Sequence, residues 1–129
     1  MAAYHGTVAR NNTGDTMADY IKIRPAEGQW VIRAGGAVLG ESEAALELTE
    51  GTYPPVIYFP RSDIAMAFLD KSSTTSTCPH KGLASYYNIV AQNGTIKDAI
   101  WSYETPLNGV EGIAGYLAFY PNKVDIEQV

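Results

Sequence analysis

Asn93-Gly94 stands between two stretches that both read as strands, residues 83–91 with Tyr86, Tyr87, Ile89 and Val90, and residues 95–103 with Ile96, Ile100, Trp101 and Tyr103. Asparagine and glycine accept the positive φ angles of a tight hairpin turn, so this dipeptide between β-rich runs specifies an antiparallel pair. Trp101 and Tyr103 have the same parity and face one side, with Ser102 opposite, whereas the adjacent Tyr86 and Tyr87 must face opposite sides.

The rest of the chain is punctuated in a similar way. Residues 20–24 alternate apolar and polar side chains before Pro25, residues 29–34 follow a Gly28 turn, and Gly35-Gly36 leads into a hairpin partner at residues 37–39. Residues 42–48 mix helix-favouring Ala, Leu and Glu with a Leu46/Leu48 spacing that fits a strand, and a strand is expected. Residues 56–59 are strongly β and bounded by Pro55 and Pro60. Residues 64–69 suit a buried strand or a helical turn followed by a strand, and residues 70–77, rich in Ser and Thr, read as a loop. Residues 106–112 also read as a loop, with room for a helical turn. Residues 116–120 and 124–126 form two last strands around Pro121-Asn122. The expected fold is mainly β: one antiparallel β-barrel or folded-sheet domain with short helical turns over residues 17–129, preceded by a flexible lead-in at residues 1–16.

Composition narrows the function classes. Of 129 residues, 46% are hydrophobic and 18% charged, too apolar for disorder, and no apolar run approaches the ~20 residues that span a bilayer. A formal net charge of −5 disfavours a nucleic-acid or anionic-membrane partner, since those need a basic face. The opening residues lack a signal-peptide core and the single cysteine cannot form an intramolecular disulfide, so a reducing cytoplasm is the expected compartment. Nine tyrosines and two tryptophans either fill β-cores or line ligand pockets.

The densest chemistry is Cys78-Pro79-His80-Lys81-Gly82, a turn in which proline fixes one angle and Gly82 permits a positive φ. Cys78 is a nucleophile if His80 and Lys81 lower its pKa, or a small buried thiol packed under the turn. Lys81 can bind a carboxylate or phosphate, or act as an amine if desolvated; the alternative is a solvated surface lysine. Glu50 is positioned to pair with Lys81, and Arg61 and Asp63 to pair with each other or frame a pocket edge. One cysteine and two histidines do not make a structural zinc site, and a carboxylate set of Glu50, Asp63 and Asp98 is the remaining, weak metal option; no metal or cofactor is expected.

The sequence of motifs Tyr58-Phe59-Pro60-Arg61-x-Asp63, Cys78-Pro79-x-Lys81-Gly82-x-Ala84-x-Tyr86-Tyr87, Trp101-Ser102-Tyr103 and Ala118-Phe119-Tyr120-Pro121 resembles the bacterial domain-of-unknown-function family 427 from about Gly28 to Val129. The resemblance implies a compact antiparallel β-tent, related in topology to zinc-binding and aromatic-cage ligand domains, with a concave site between two sheets. His80 departs from the aromatic residue common in the family. The family's nucleotidyltransferase-like label finds no counterpart in the residues: there is no Gly-rich loop ending in Lys-Ser/Thr and no Asp-x-Asp pair.

These observations favour a small-molecule binder that takes a polar or anionic ligand in an aromatic-walled cleft around the cysteine turn. Lys81 would neutralise charge there, Trp101 and Tyr103 would stack or pack, Tyr58 and Arg61 would orient the ligand, and Glu50 or Asp63 would position Lys81, with His80 and Tyr87 completing the site. The alternatives are an enzyme using Cys78 or Lys81 as nucleophile or Lys81 with Tyr103 as acid and base, and a homodimeric interaction module with exposed aromatics.

Overall fold

The computed structural model describes residues 20–129, so the expected lead-in at residues 1–16 lies outside the described residues. One antiparallel sheet contains, in spatial order, β1 (Ile21–Pro25), β4 (Leu46–Glu50), β5 (Val56–Phe59), β9 (Leu117–Phe119), β8 (Gly94–Ser102), β7 (Gly82–Ala91) and β6 (Leu69–Cys78). A second contains β10 (Asp125–Gln128), β2 (Trp30–Ala34) and β3 (Ala37–Ser42). Short 3-10 turns lie at Arg61–Asp63, Met66–Phe68 and Glu111–Ile113. No helix among the described residues is long and apolar enough to cross a membrane.

The mainly β expectation holds, but the barrel does not close. The larger sheet ends on β1 and β6, which do not pair with each other, and the arrangement is sandwich-like. The free edge of β6 carries Asp70, Lys71 and a run of Ser and Thr, side chains that keep an edge strand compatible with water.

The Asn93-Gly94 hairpin forms with its turn one residue early: Ala91 pairs with Gly94, leaving Gln92 and Asn93 as the central residues. Residues 70–77, expected as a loop, are a correction. They belong to β6 and pair with β7 from Asp70 opposite Asn88 to Thr77 opposite Leu83. Their polarity hid a strand whose β-branched threonines suit the pleat and whose partly buried positions alternate with exposed ones. The register slips between Lys71 and Thr75 on β6 and between Tyr87 and Ile89 where β7 meets β8. Asp98 lies at the second slip with φ 49°, its N–H donating to Asn88 Oδ1 at 2.8 Å and its carboxylate accepting from Thr74 Oγ1 at 2.8 Å. Hydrogen bonding from Ser72, opposed by burial and aided by Thr74, holds the Asp98 carboxyl below its ordinary range.

Strand alternation gives the large sheet two covered faces. One packs Phe59, Tyr87, Ile89, Ile100, Leu117 and Phe119 against Ile32 and Leu39 of the small sheet. The other gathers Leu48, Tyr58, Cys78, Tyr86, Trp101 and Tyr103 under Val110 and Ile113, which come from the segment after β8. Tyr86 and Tyr87 therefore fall on opposite faces, as their adjacency requires.

The small sheet is joined to the chain after β5 at Gly40. This residue bridges Ile64, and a Cβ built on it would come within 2.5 Å of the Asp63 carbonyl oxygen and 2.6 Å of Ile64 Cδ1. Only a hydrogen side chain admits that approach. The Ala65 N–H donates to the Leu39 carbonyl at 2.9 Å, and Ser42 Oγ donates to Asp63 Oδ2 at 2.7 Å.

Candidate functional site

The Cys78-to-Gly82 turn connects β6 to β7, with Gly82 at the expected positive φ, 111°, and the Lys81 N–H donating to the Cys78 carbonyl at 3.3 Å. Its side chains do not converge on solvent. Cys78 is 1% exposed, and Lys81 is turned inward with 4% of its surface exposed. Lys81 Nζ donates to Glu50 Oε1 at 2.6 Å and lies 6.0 Å from the centre of the Tyr103 ring. Glu50 is supplied by the end of β4, so the pair ties that strand to the distant β6–β7 turn. Glu50 Oε2 is buried with no hydrogen-bond partner among the described residues. Burial pushes the hydroxyl pKa values of Tyr58 and Tyr103 up, and the nearby anionic forms of Cys78 and Glu50 push in the same direction. Both phenols stay protonated at neutral pH. The segment after β8 shuts this region, with the Leu107 N–H donating to the Lys81 carbonyl at 3.0 Å.

Arg61 belongs to a different constellation. Its Nε donates to the Gly115 carbonyl at 2.6 Å, and Nη2 donates to Tyr87 Oη at 3.2 Å, Ser102 Oγ at 3.3 Å and Glu104 Oε2 at 2.8 Å. Tyr87 Oη also donates to Glu104, and Lys71 Nζ donates to Glu104 Oε1 at 3.0 Å. The Tyr87 hydrogen bond is the main cause that draws Glu104 down to about 2, with Lys71 and Arg61 adding to it against partial burial. Arg61 and Asp63 do not pair with each other. The 3-10 turn sends Arg61 to the large sheet and Asp63 to Ser42 of the small one.

An apolar groove of about 500 Å³ is lined by residues of both sheets. The small sheet contributes Trp30 and Ile126, and β5 with its approach contributes Pro54, Pro55, Val56 and Ile57. Trp101, Phe119 and Pro121 complete it from the far side of β5, with Glu47 as its one charged member. Trp30 is fixed by its indole N–H, which donates to the Glu27 carbonyl at 3.0 Å, and Trp101 by donation to Tyr58 Oη at 3.3 Å. Trp101 also packs at 4.7 Å between ring centres against Tyr120.

The candidates read from the sequence thus fall in several places. Glu50, Tyr58, Cys78, Lys81, Trp101 and Tyr103 meet in one core, Arg61 meets Tyr87, and Asp63 stands apart. His80 is partly buried in the turn. Only Trp101 of this set lines the groove. Glu50, Asp63 and Asp98 have separate partners, and the described residues contain no group of three His, Cys, Asp or Glu able to hold a metal. Glu104, Lys71, Trp30 and Glu47 carry no motif of their own. Glu104 was signalled only by following Trp101-Ser102-Tyr103 at a strand end, and Trp30 by being one of two tryptophans.

The family model described as a domain of unknown function (DUF427) matches residues 22–129. Among curated proteins, none matches the chain.

Proposed function

The chain belongs to the DUF427 family, a domain of unknown function, and from that premise we propose that it is a small-molecule-binding β domain whose ligand lies in the groove lined by residues of both sheets. One observation carries this reading: both tryptophans of the chain, Phe119 and three prolines bound a single open concavity of about 500 Å³. Small-molecule sites are concavities of roughly 300–1,000 Å³, mostly apolar, with few polar groups. Rigid rings and prolines also lose little side-chain entropy when a ligand covers them.

This moves the expected cleft away from the cysteine turn while keeping Trp101 in it. The Glu50–Lys81 pair is net neutral and enclosed, so an anionic ligand gains little from Lys81 without separating the pair. A second reading, an enzyme using Lys81 with Glu50, is favoured by the unpartnered Glu50 Oε2, which offers a buried acceptor to a substrate N–H or O–H. It requires the segment after β8 to open.

The test is a thermal-shift screen of wild type and Val56→Phe against a panel of nucleotides, carboxylates, sugars and amino-acid derivatives. Stabilisation follows RT ln(1 + [L]/Kd), so a groove ligand raises Tm in wild type and loses its effect when phenylalanine fills the groove. Compounds that stabilise both proteins equally would refute the groove as the binding site.

A further inference from the structure

The groove does not end at Trp30 and Glu47. The same two residues line an adjoining cavity of about 470 Å³, bounded also by Arg24, Pro25, Ala26, Glu27 and Gln128. The two compartments differ in chemistry. The first is walled by rings, prolines and aliphatic side chains, and the second carries two carboxylates and one guanidinium.

Arg24 Nε holds Glu47 Oε1 at 2.9 Å, yet the arginine side chain is 70% exposed and Glu47 only 24%. The carboxylate is therefore the more enclosed partner and the better placed to feel a second charge, because an exposed guanidinium is largely screened by solvent. The neutral donors at this end are already engaged, since the Trp30 indole N–H and Gln128 Nε2 both donate to the Glu27 carbonyl, at 3.0 and 2.7 Å, and Arg24, the one cation, gives its Nε to Glu47 from a side chain that is mostly exposed. What the polar compartment offers an entering group is negative charge and the Trp30 ring at its boundary with the apolar one. An ammonium satisfies both, by Coulombic attraction to Glu47 and Glu27 and by contact with an aromatic wall.

Resting on the groove reading, we propose that the ligand class is an amphipathic primary amine: an aromatic or branched apolar body seated near Trp101 and Val56, with a short linker that brings its ammonium past Trp30 to Glu47. The proposal differs from the anionic ligand expected from Lys81, because Lys81 does not line either compartment and Glu47 lines both.

Three probes of nearly one shape separate the possibilities: 3-phenylpropylamine, 3-phenylpropan-1-ol and 3-phenylpropanoate. Both tryptophans line the groove and the chain has no others, so intrinsic fluorescence excited at the red edge of indole absorption reports occupancy. The expected result is saturable change with all three, the amine binding about fivefold more tightly than the alcohol and the acid more weakly than either. Glu47→Gln should remove the amine's advantage, leave the alcohol unchanged, and retain the wild-type melting temperature within a few degrees.

Equal binding of amine, alcohol and acid would overturn the amine class and leave the groove standing. No saturable response to any probe would overturn both. Probe-independent, concentration-dependent fluorescence change that Val56→Phe abolishes would give the groove to a second copy of the chain, and would also overturn the proposal.

Discussion

Lys81 Nζ lies 2.6 Å from Glu50 Oε1 with the two side chains 5% and 7% exposed, an ion pair enclosed in a core of tyrosines, Trp101 and Cys78. Withdrawing two charges from water costs several kcal/mol per ion, and the mutual attraction offsets this only while both partners are present. Lys81→Met should therefore destabilise the protein by about 3 to 5 kcal/mol, and Glu50→Leu should do so similarly. The double variant should recover most of the loss, because it leaves no unpaired charge. Urea denaturation of the four proteins checks this; a double variant as unstable as the sum of the single ones would show zero coupling between the two charges and would contradict this reading of the pair.

Glu104 gives the pH dependence. Its folded-state pKa is drawn from 4.5 to about 2, first by the Tyr87 hydroxyl and then by Lys71 and Arg61. A depressed carboxylate pKa contributes stability that is fully present above 4.5 and is lost as pH falls from 4.5 towards 2. Because a third of the side chain is exposed, solvent screening reduces the contribution to about 1 to 2 kcal/mol. Glu104→Gln should melt below wild type at pH 7 and converge with it near pH 2. A difference that stayed constant across this range would contradict the assignment.

Gly40→Ala should destabilise by about 1 to 3 kcal/mol, since its Cβ would meet the Asp63 carbonyl at 2.5 Å and neither backbone can move alone. Gly36→Ala is the contrast within the same hairpin. Its Cβ would meet nothing within 4 Å, so its cost comes only from a positive φ of 83°. The expected order in thermal melts is wild type, then Gly36→Ala, then Gly40→Ala.

Cys78 tests the enzyme alternative. At 1% exposure its thiol should react with a disulfide reagent only as the protein opens, so labelling should be slow in buffer and complete at one thiol per chain in denaturant. Rapid labelling in buffer near neutral pH would return the thiol to the list of reactive groups.

Much of the fold was legible because local rules and tertiary structure agree. The prolines flanking β5, the Gly35-Gly36 turn and the β7–β8 hairpin each mark their element in the chain itself. The β6 strand was hidden because its Ser and Thr residues satisfy edge-strand physics rather than core periodicity. Closure into a barrel could not be settled from strand count, since it depends on whether β1 and β6 meet.

For the site, sequence neighbourhood was the misleading signal. Cys78, His80 and Lys81 are close along the chain, but Lys81 turns inward to a residue 31 positions away and Arg61 reaches 43 positions to Glu104. The groove joins Trp30, Val56, Trp101 and Ile126, which no motif contains together, because only sheet packing brings them to one place.

The groove can be tested most directly through the two indole N–H resonances. In a proton–nitrogen correlation spectrum titrated with 3-phenylpropylamine, the Trp30 and Trp101 indole signals should shift together and saturate, while the backbone amides of Lys81 and Gly82 stay in place. Shifts confined to Lys81, Gly82 and their neighbours, with both indoles unmoved, would contradict the account and return the binding site to the cysteine turn.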